Sequence, residues 1–292
     1  MYTDVFRPDA LAGKSILVTG GGSGLGKEIA KGLIAKGATV HICGRRAEVL
    51  ASAVAEIGGS IHAHICDIRD ADSIDAMVAA IWAIGPLTGL VNNAAANFIS
   101  PTKDLSPRGF RAVTSTVMDG SFFVTLAIGK RWIAEGIRGS VVSNLVTWVW
   151  TGSAFVVPSA MAKTALDAMT KSLAVEWGPY GIRLNATAPG PFPTEGAWEK
   201  LNPLPDTKSS ATSDDTVPMR RFGQMPELQN LIVFLLSDGC DYLTGQTIAI
   251  DGGQHLAGPG TFADLSALSD MQWDAAREAI QAASARDKAK RA

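Results

Sequence analysis

The chain is short of residues that staple, chelate or anchor. It has only three cysteines, Cys43, Cys66 and Cys240, an odd number without a CxxC pair. That pattern argues against a disulfide framework and a thiolate zinc site, and it fits a reducing compartment. Its four histidines, His41, His62, His64 and His255, lack metal-ligand spacing. His62 and His64 alternate on one strand face, as packed or surface side chains do. No stretch approaches the ~18 consecutive apolar residues of a membrane span. A formal net charge of −2 supplies no field for nucleic acid. The stretch MYTDVFRPDA carries acids and Pro8, so it matches neither a secretory signal nor an arginine-rich presequence. A cytoplasmic location without membrane or nucleic-acid partners is the expectation. Tyrosine is scarce as well, with only Tyr2, Tyr180 and Tyr242.

What is present describes a globular protein with a large core: 47% of residues are hydrophobic and 18% charged. There are no repeats and no low-complexity segments. Apolar runs alternate with helical spacing, which predicts an α/β fold, a doubly wound parallel sheet of seven strands with helices on both faces. The strands are Ser15–Thr19, Thr39–Cys43, Ser60–Ile65, Leu90–Asn92, Ser140–Val146, Arg183–Ala188 and Thr247–Ile250. A chain of 292 residues with this pattern reads as one domain. Within it, 195–222 is polar and proline-broken like a lid, and 254–292 is an extension carrying an amphipathic helix over Ser266–Ala283 and a basic end. Lys200, Lys208, Arg220 and Arg221 lie in or beside the lid-like segment, where they either meet a phosphate of a ligand or are simply solvated.

The first strand runs into TGGGSGLG and a helix. Glycines there let the backbone approach a phosphate, and the N–H groups of the helix start attract its charge. Gly20, Gly22, Ser23, Gly24, Leu25 and Gly26 are therefore candidate cofactor contacts in a Rossmann-type fold. A carboxylate after the second strand would read a ribose hydroxyl, but none occurs between Val40 and Arg46. Arg45 and Arg46 stand there instead, which predicts NADP(H), their guanidinium groups suiting a 2′-phosphate. The alternative is a solvated turn.

The segment Ser140 to Lys171, GSVVSNLVTWVWTGSAFVVPSAMAKTALDAMTK from Gly139 on, is where the chemistry should be decided. A strand breaks at Thr151-Gly152-Ser153 and a helix starts at Pro158-Ser159. Lys163 sits in its second turn among Met161, Ala162, Ala165 and Leu166, an apolar setting that favours a functional ammonium over a solvated one.

This segment resembles the active site of the short-chain dehydrogenase/reductase family, where a YxxxK motif supplies tyrosine and lysine; here Ser159 takes the tyrosine position. TGSAFVVPSAMAK and the ANF of Ala96 to Phe98 are similar to the 2,4-dienoyl-CoA reductase branch. Its mitochondrial members place serine at that position and tyrosine eleven residues earlier, where this chain has Trp148. Its peroxisomal members also lack the tyrosine. The ending TFADL…QWD resembles the branch's C-terminal extension, which carries the likeness over nearly the full chain.

The resemblance implies further roles. Asp67 and Ile68 belong near the adenine. Asn93, Ala94 and Ala95, after Asn92, match the family's NNAG region against the cofactor. Pro189, Gly190, Pro191 and Thr194 match its nicotinamide-facing turn. Asn97 matches a donor to a thioester carbonyl, or is a turn residue, and Phe98 would line the acyl cleft. Asp119 stands where family members carry asparagine beside a relay water. A carboxylate there either holds Lys163 charged and relays protons or is a paired structural charge. Family members are commonly tetramers, so a homotetramer is expected.

Three activities stay open. The first is NADPH-dependent reduction of a conjugated acyl-CoA thioester, protonated through water held by Lys163 and Asp119, since indole does not titrate usefully and Ser159 is a poor acid. The second is an NADP(H)-dependent oxidoreductase for another substrate, aromatic or carbonyl, stacked on Trp148 and Trp150. The third is an NADP-binding protein without catalysis.

Overall fold

The computed structural model describes residues 6–194, 214–258, 269–272, 274–275 and 278. Seven parallel strands form one sheet in the order β3-β2-β1-β4-β5-β6-β7: β1 Ser15–Thr19, β2 Thr39–Gly44, β3 Ile61–Ile65, β4 Gly89–Asn92, β5 Ser140–Asn144, β6 Arg183–Pro189 and β7 Thr247–Ile250. All seven expected strands are present, shifted by at most two residues at an end. A parallel sheet covered on both faces needs apolar side chains on both sides of each strand, and Ile16, Leu17, Val18, Leu90, Val91, Val141 and Val142 are all essentially inaccessible.

One face carries α1 Gly24–Ile34, α2 Ala47–Ile57 and, after β6, a helix over Met225–Leu236, packed on Ile16, Val18, Val40 and Ile42. The other face carries α3 Ala71–Ile84, α4 Pro107–Thr114, α5 Gly120–Glu135 and, after the four-residue α6 Trp148–Thr151, the long α7 Val157–Trp177. The helices over Met225–Leu236 and Gln254–Ala257 are α8 and α9. The order reverses between β1 and β4, and the crevice at such a switch point, beyond the carboxyl ends of the strands, is where doubly wound folds bind ligands.

Local chemistry explains where the helices begin. Ser106 caps α4 by accepting from the Gly109 N–H at 3.1 Å, with Pro107 in the first turn. Gln224 and Glu227 form a reciprocal capping box at α8. The stretch 107–135 is continuous helix, apolar and long enough to cross a membrane by composition. Its buried half instead packs against α3, α7 and β4 as a core helix.

That helix is not regular throughout. Thr114, Ser115 and Thr116 each return their hydroxyl proton to the carbonyl four residues back, an arrangement that loosens and bends helices. Ser115–Asp119 widens into a π turn in which the Gly120 N–H donates to the Ser115 carbonyl.

The proposed lid and extension fall largely outside the described residues, including Lys200, Lys208 and most of 266–283. The described end of the lid segment is packed: Val217 is buried and the Met219 N–H donates to the Gly252 carbonyl at 3.3 Å.

Candidate active site

A cavity of about 570 Å³ opens at the switch point. Its floor is the turn after β1. Gly20 and Gly24 sit at φ of +65° and +54°, a backbone conformation open to glycine, and Gly20, Gly22, Ser23, Gly24 and Leu25 all line the space. Gly26 does not. It packs inside the turn, where a Cβ would overlap the Gly20 carbonyl and the Asn93 amide, so its small size serves loop packing and not ligand contact.

Arg45 and Arg46 stand at one end of the cavity on the turn after β2. Neither guanidinium makes a hydrogen bond or ion pair among the described residues, unlike that of Arg221, which is held by Glu227 at 2.7 and 2.8 Å. Asp67 and Ile68 line the same end. The hydrogen-bonded Arg69 guanidinium holds the Asp67 carboxyl below the usual carboxylate range, with the Arg45 charge contributing.

The middle of the site is a side-chain network. The Thr19 hydroxyl accepts from the backbone N–H groups of Asn93 and Ala94, each at 3.0 Å. The Asn93 amide donates to the Thr19 carbonyl at 3.1 Å, and the Asn144 amide donates to Asn93 Oδ1 at 3.0 Å. Thr187 donates to Asn144 Oδ1 at 3.2 Å. Neighbouring strand ends are thereby locked in register beneath the cavity. Lys163 completes the set: its ammonium donates to the Asn144 carbonyl.

Lys163 is 6% exposed, and burial alone pushes its pKa down to about 8. Desolvation disfavours the charged form, and among the described residues no carboxylate acts on Lys163 to counter it. Of the two alternatives for Asp119, the one in which it holds this ammonium charged is therefore not met. Asp119 lies off the cavity, and Thr116 lines it instead. Both residues belong to the π turn Ser115–Asp119, where they stand three positions apart. The Thr-Ser-Thr hydroxyls of 114–116 were the available sequence signal.

Asn97, Trp148 and Ser159, expected at the substrate, all line the cavity. The Asn97 amide, the Trp148 indole N–H and the Ser159 hydroxyl are all without protein partners among the described residues. Phe98 and Trp150, expected to face substrate, do not line the cavity. Phe98 is 36% exposed and lies beside Gly109 of α4. Trp150 turns to His255, with ring centroids 4.8 Å apart. Pro189, Gly190, Pro191 and Thr194 close the far wall, joined by Phe192, Leu145 and Val146. No tyrosine lines the cavity among the described residues, and Tyr180 and Tyr242 are exposed on the surface.

Residues 20–255 match the family model described as Enoyl-(Acyl carrier protein) reductase. A Bacillus subtilis protein named "Probable 2,4-dienoyl-CoA reductase", (2E)-enoyl-CoA-producing, is 40% identical over 83% of this chain and 97% of its own length. A Caenorhabditis elegans protein with the same designation but (3E)-enoyl-CoA-producing is 37% identical over 98% and 95%. Among solved structures, an actinorhodin polyketide ketoreductase with NADPH superposes with a TM-score of 0.77 at 30% identity, covering 83% of this chain and 97% of that one. The chain therefore belongs to the short-chain dehydrogenase/reductase family of oxidoreductases, and over nearly its whole length it is similar to members named as 2,4-dienoyl-CoA reductases.

Proposed function

We propose that the protein is an NADPH-dependent reductase of 2,4-dienoyl-CoA thioesters that protonates its product through water. The observation that carries this reading is a cavity that joins a phosphate-binding turn, two uncommitted arginines and a desolvated lysine, yet has no phenol on its described walls. The glycine turn supports the cofactor assignment, because Gly20, Gly22, Ser23 and Gly24 line the cavity at the start of α1, where backbone N–H groups attract a diphosphate. Arg45 and Arg46 would take the 2′-phosphate.

NADPH, when bound, supplies the hydride; the chain does the rest. The Asn97 amide and the Trp148 indole N–H are donors for the thioester oxygen, which gathers negative charge as the conjugated system is reduced. The proton needs another source, because an indole does not titrate usefully. Lys163, with a pKa of about 8, exchanges a proton with water at little cost near neutral pH. The Asn144 carbonyl fixes its direction. Thr116 and Ser159 are the nearby hydroxyls of the lining that orient such a water.

The test follows NADPH absorbance with a panel of enoyl- and dienoyl-CoA esters beside free enones. Turnover confined to the dienoyl-CoA esters is the expected result. Turnover of enones lacking coenzyme A would transfer the assignment to another substrate class, and cofactor binding without any turnover would leave a binding protein. Product analysis by NMR separates the 2E from the 3E product.

Two further assignments accompany this reading. Apolar side chains stand exposed along the α4–α5 helix (Met118, Phe122, Phe123) and on α7 (Met161, Val175). They support self-association into a homotetramer, which light scattering on the eluting protein would check. Three buried free cysteines support a cytoplasmic setting.

A further inference from the structure

Helix α6 has four residues, none fully buried: Val149 packs against the core cluster of Val113, Leu145 and Leu166, and its two tryptophans lie outside that cluster. Its first residue, Trp148, lines the substrate end of the cavity. Trp150, one residue short of its end, lies against the His255 imidazole with centroids 4.8 Å apart and planes at 33°.

That imidazole is held from behind. Asp251, 8% exposed, accepts the backbone N–H groups of Gly253 at 3.0 Å and His255 at 2.8 Å. Its Oδ2 lies 2.7 Å from His255 Nδ1. An ionised carboxylate only accepts, so Nδ1 carries the proton and the ring orientation is set. Asp251 is in turn wedged against the far wall of the cavity. A Cβ at Gly190 would come within 2.6 Å of the Asp251 Cβ, and the Gly190 N–H donates to the Ile250 carbonyl at 3.0 Å. Gly190 and Trp148 both line the cavity, and Asp251, His255 and Trp150 link the two from behind.

We propose that His255 is a positioning residue, oriented by Asp251, that sets the width of the substrate mouth by holding Trp150 and thereby Trp148. This rests on the reading that the Trp148 end takes the acyl thioester. Releasing α6 loosens the Trp148 indole that meets the thioester oxygen, so the loss falls on kcat/KM for the acyl thioester while cofactor binding is untouched.

The experiment compares full-length His255→Ala, His255→Phe, Trp150→Leu and the His255→Ala/Trp150→Leu pair with wild type. An aromatic contact of this kind accounts for about a 3- to 10-fold change. His255→Ala and Trp150→Leu should each lower kcat/KM for a dienoyl-CoA by that factor, with NADPH affinity unchanged. The double variant should be no worse than the larger single effect, because both remove one contact. Amide hydrogen exchange over 147–152, read without substrate, should quicken in His255→Ala and be restored in His255→Phe, which keeps a ring against Trp150. Additive losses, unaltered exchange in His255→Ala, or an equal fall in NADPH affinity would overturn the proposal. A wild-type enzyme inert on every dienoyl-CoA refutes the substrate reading alone and leaves the exchange measurement to decide the role of His255.

Discussion

Replacing Lys163 by methionine should make the cofactor-free protein more stable while abolishing its activity. Burial lowers this lysine from 10.5 to about 8, a difference of about 2.5 units, and at about 1.36 kcal/mol per unit the fold carries a penalty of about 3 kcal/mol near pH 7. The side chain is 6% exposed, so solvent screening does little to reduce that figure. Methionine removes the charge and keeps most of the volume. It also takes a donor from the Asn144 carbonyl, which costs about 1–2 kcal/mol. The balance is a gain of about 1–2 kcal/mol, or a rise of roughly 2–6 °C in melting temperature for a domain of this size.

The pH dependence is the sharper check. Because the folded pKa lies below the unfolded one, the unfolded wild type binds more protons between about pH 8 and 10.5, and its stability rises through that window. The variant has no such group, so its advantage should shrink as pH climbs from 8, be gone by about pH 9 to 9.5, and be reversed near 10.5, where only the lost hydrogen bond remains. Thermal unfolding of both proteins at a series of pH values measures this. A variant less stable than wild type at pH 7, or an advantage that does not change with pH, would refute the claim that Lys163 is desolvated without a counter-charge. Loss of turnover with weakened NADPH binding should accompany the substitution, and unchanged kinetics would remove the lysine from the mechanism.

Other substitutions separate the remaining assignments. Trp148→Tyr places a titrating group on the cavity wall and should raise kcat on a dienoyl-CoA by at least about tenfold; no gain across a pH series would count against a missing acid. Arg45→Asp should move cofactor preference from NADPH toward NADH, and unaltered NADPH affinity in fluorescence titration would show that the turn after β2 does not read the 2′-phosphate. Asp119→Asn should leave kcat within about twofold and Thr116→Val should lower it about tenfold, the worth of one hydrogen bond to a positioned water; the reverse ranking in steady-state assays would restore Asp119 to the relay.

Much of the cofactor side of the site is legible in the residues themselves, because glycine, arginine and lysine at fixed distances from strand ends carry their meaning locally. A turn that follows a buried strand and opens a helix places its N–H groups whatever the rest of the chain does. The substrate side is less legible. Phe98 and Trp150 have the composition of an acyl-binding wall, but which way a ring turns on a loop depends on its neighbours, here Gly109 and His255. His255 itself carries no signal, since its partners are a carboxylate four residues back and an indole more than a hundred positions away.

The sequence by itself determined the parallel sheet, the glycine-rich turn after β1, the arginine pair and the absence of a phenol from the segment where the family carries one, since each depends on residue type and short-range spacing. Tertiary packing alone decided that Lys163 is buried with no described carboxylate acting on it, that Thr116 and not Asp119 lines the cavity, and that His255 of α9 lies against Trp150 of α6. Those outcomes come from helix register, whose one local trace is the hydroxyl run of 114–116, and from contacts between segments far apart in the chain, which no local pattern encodes.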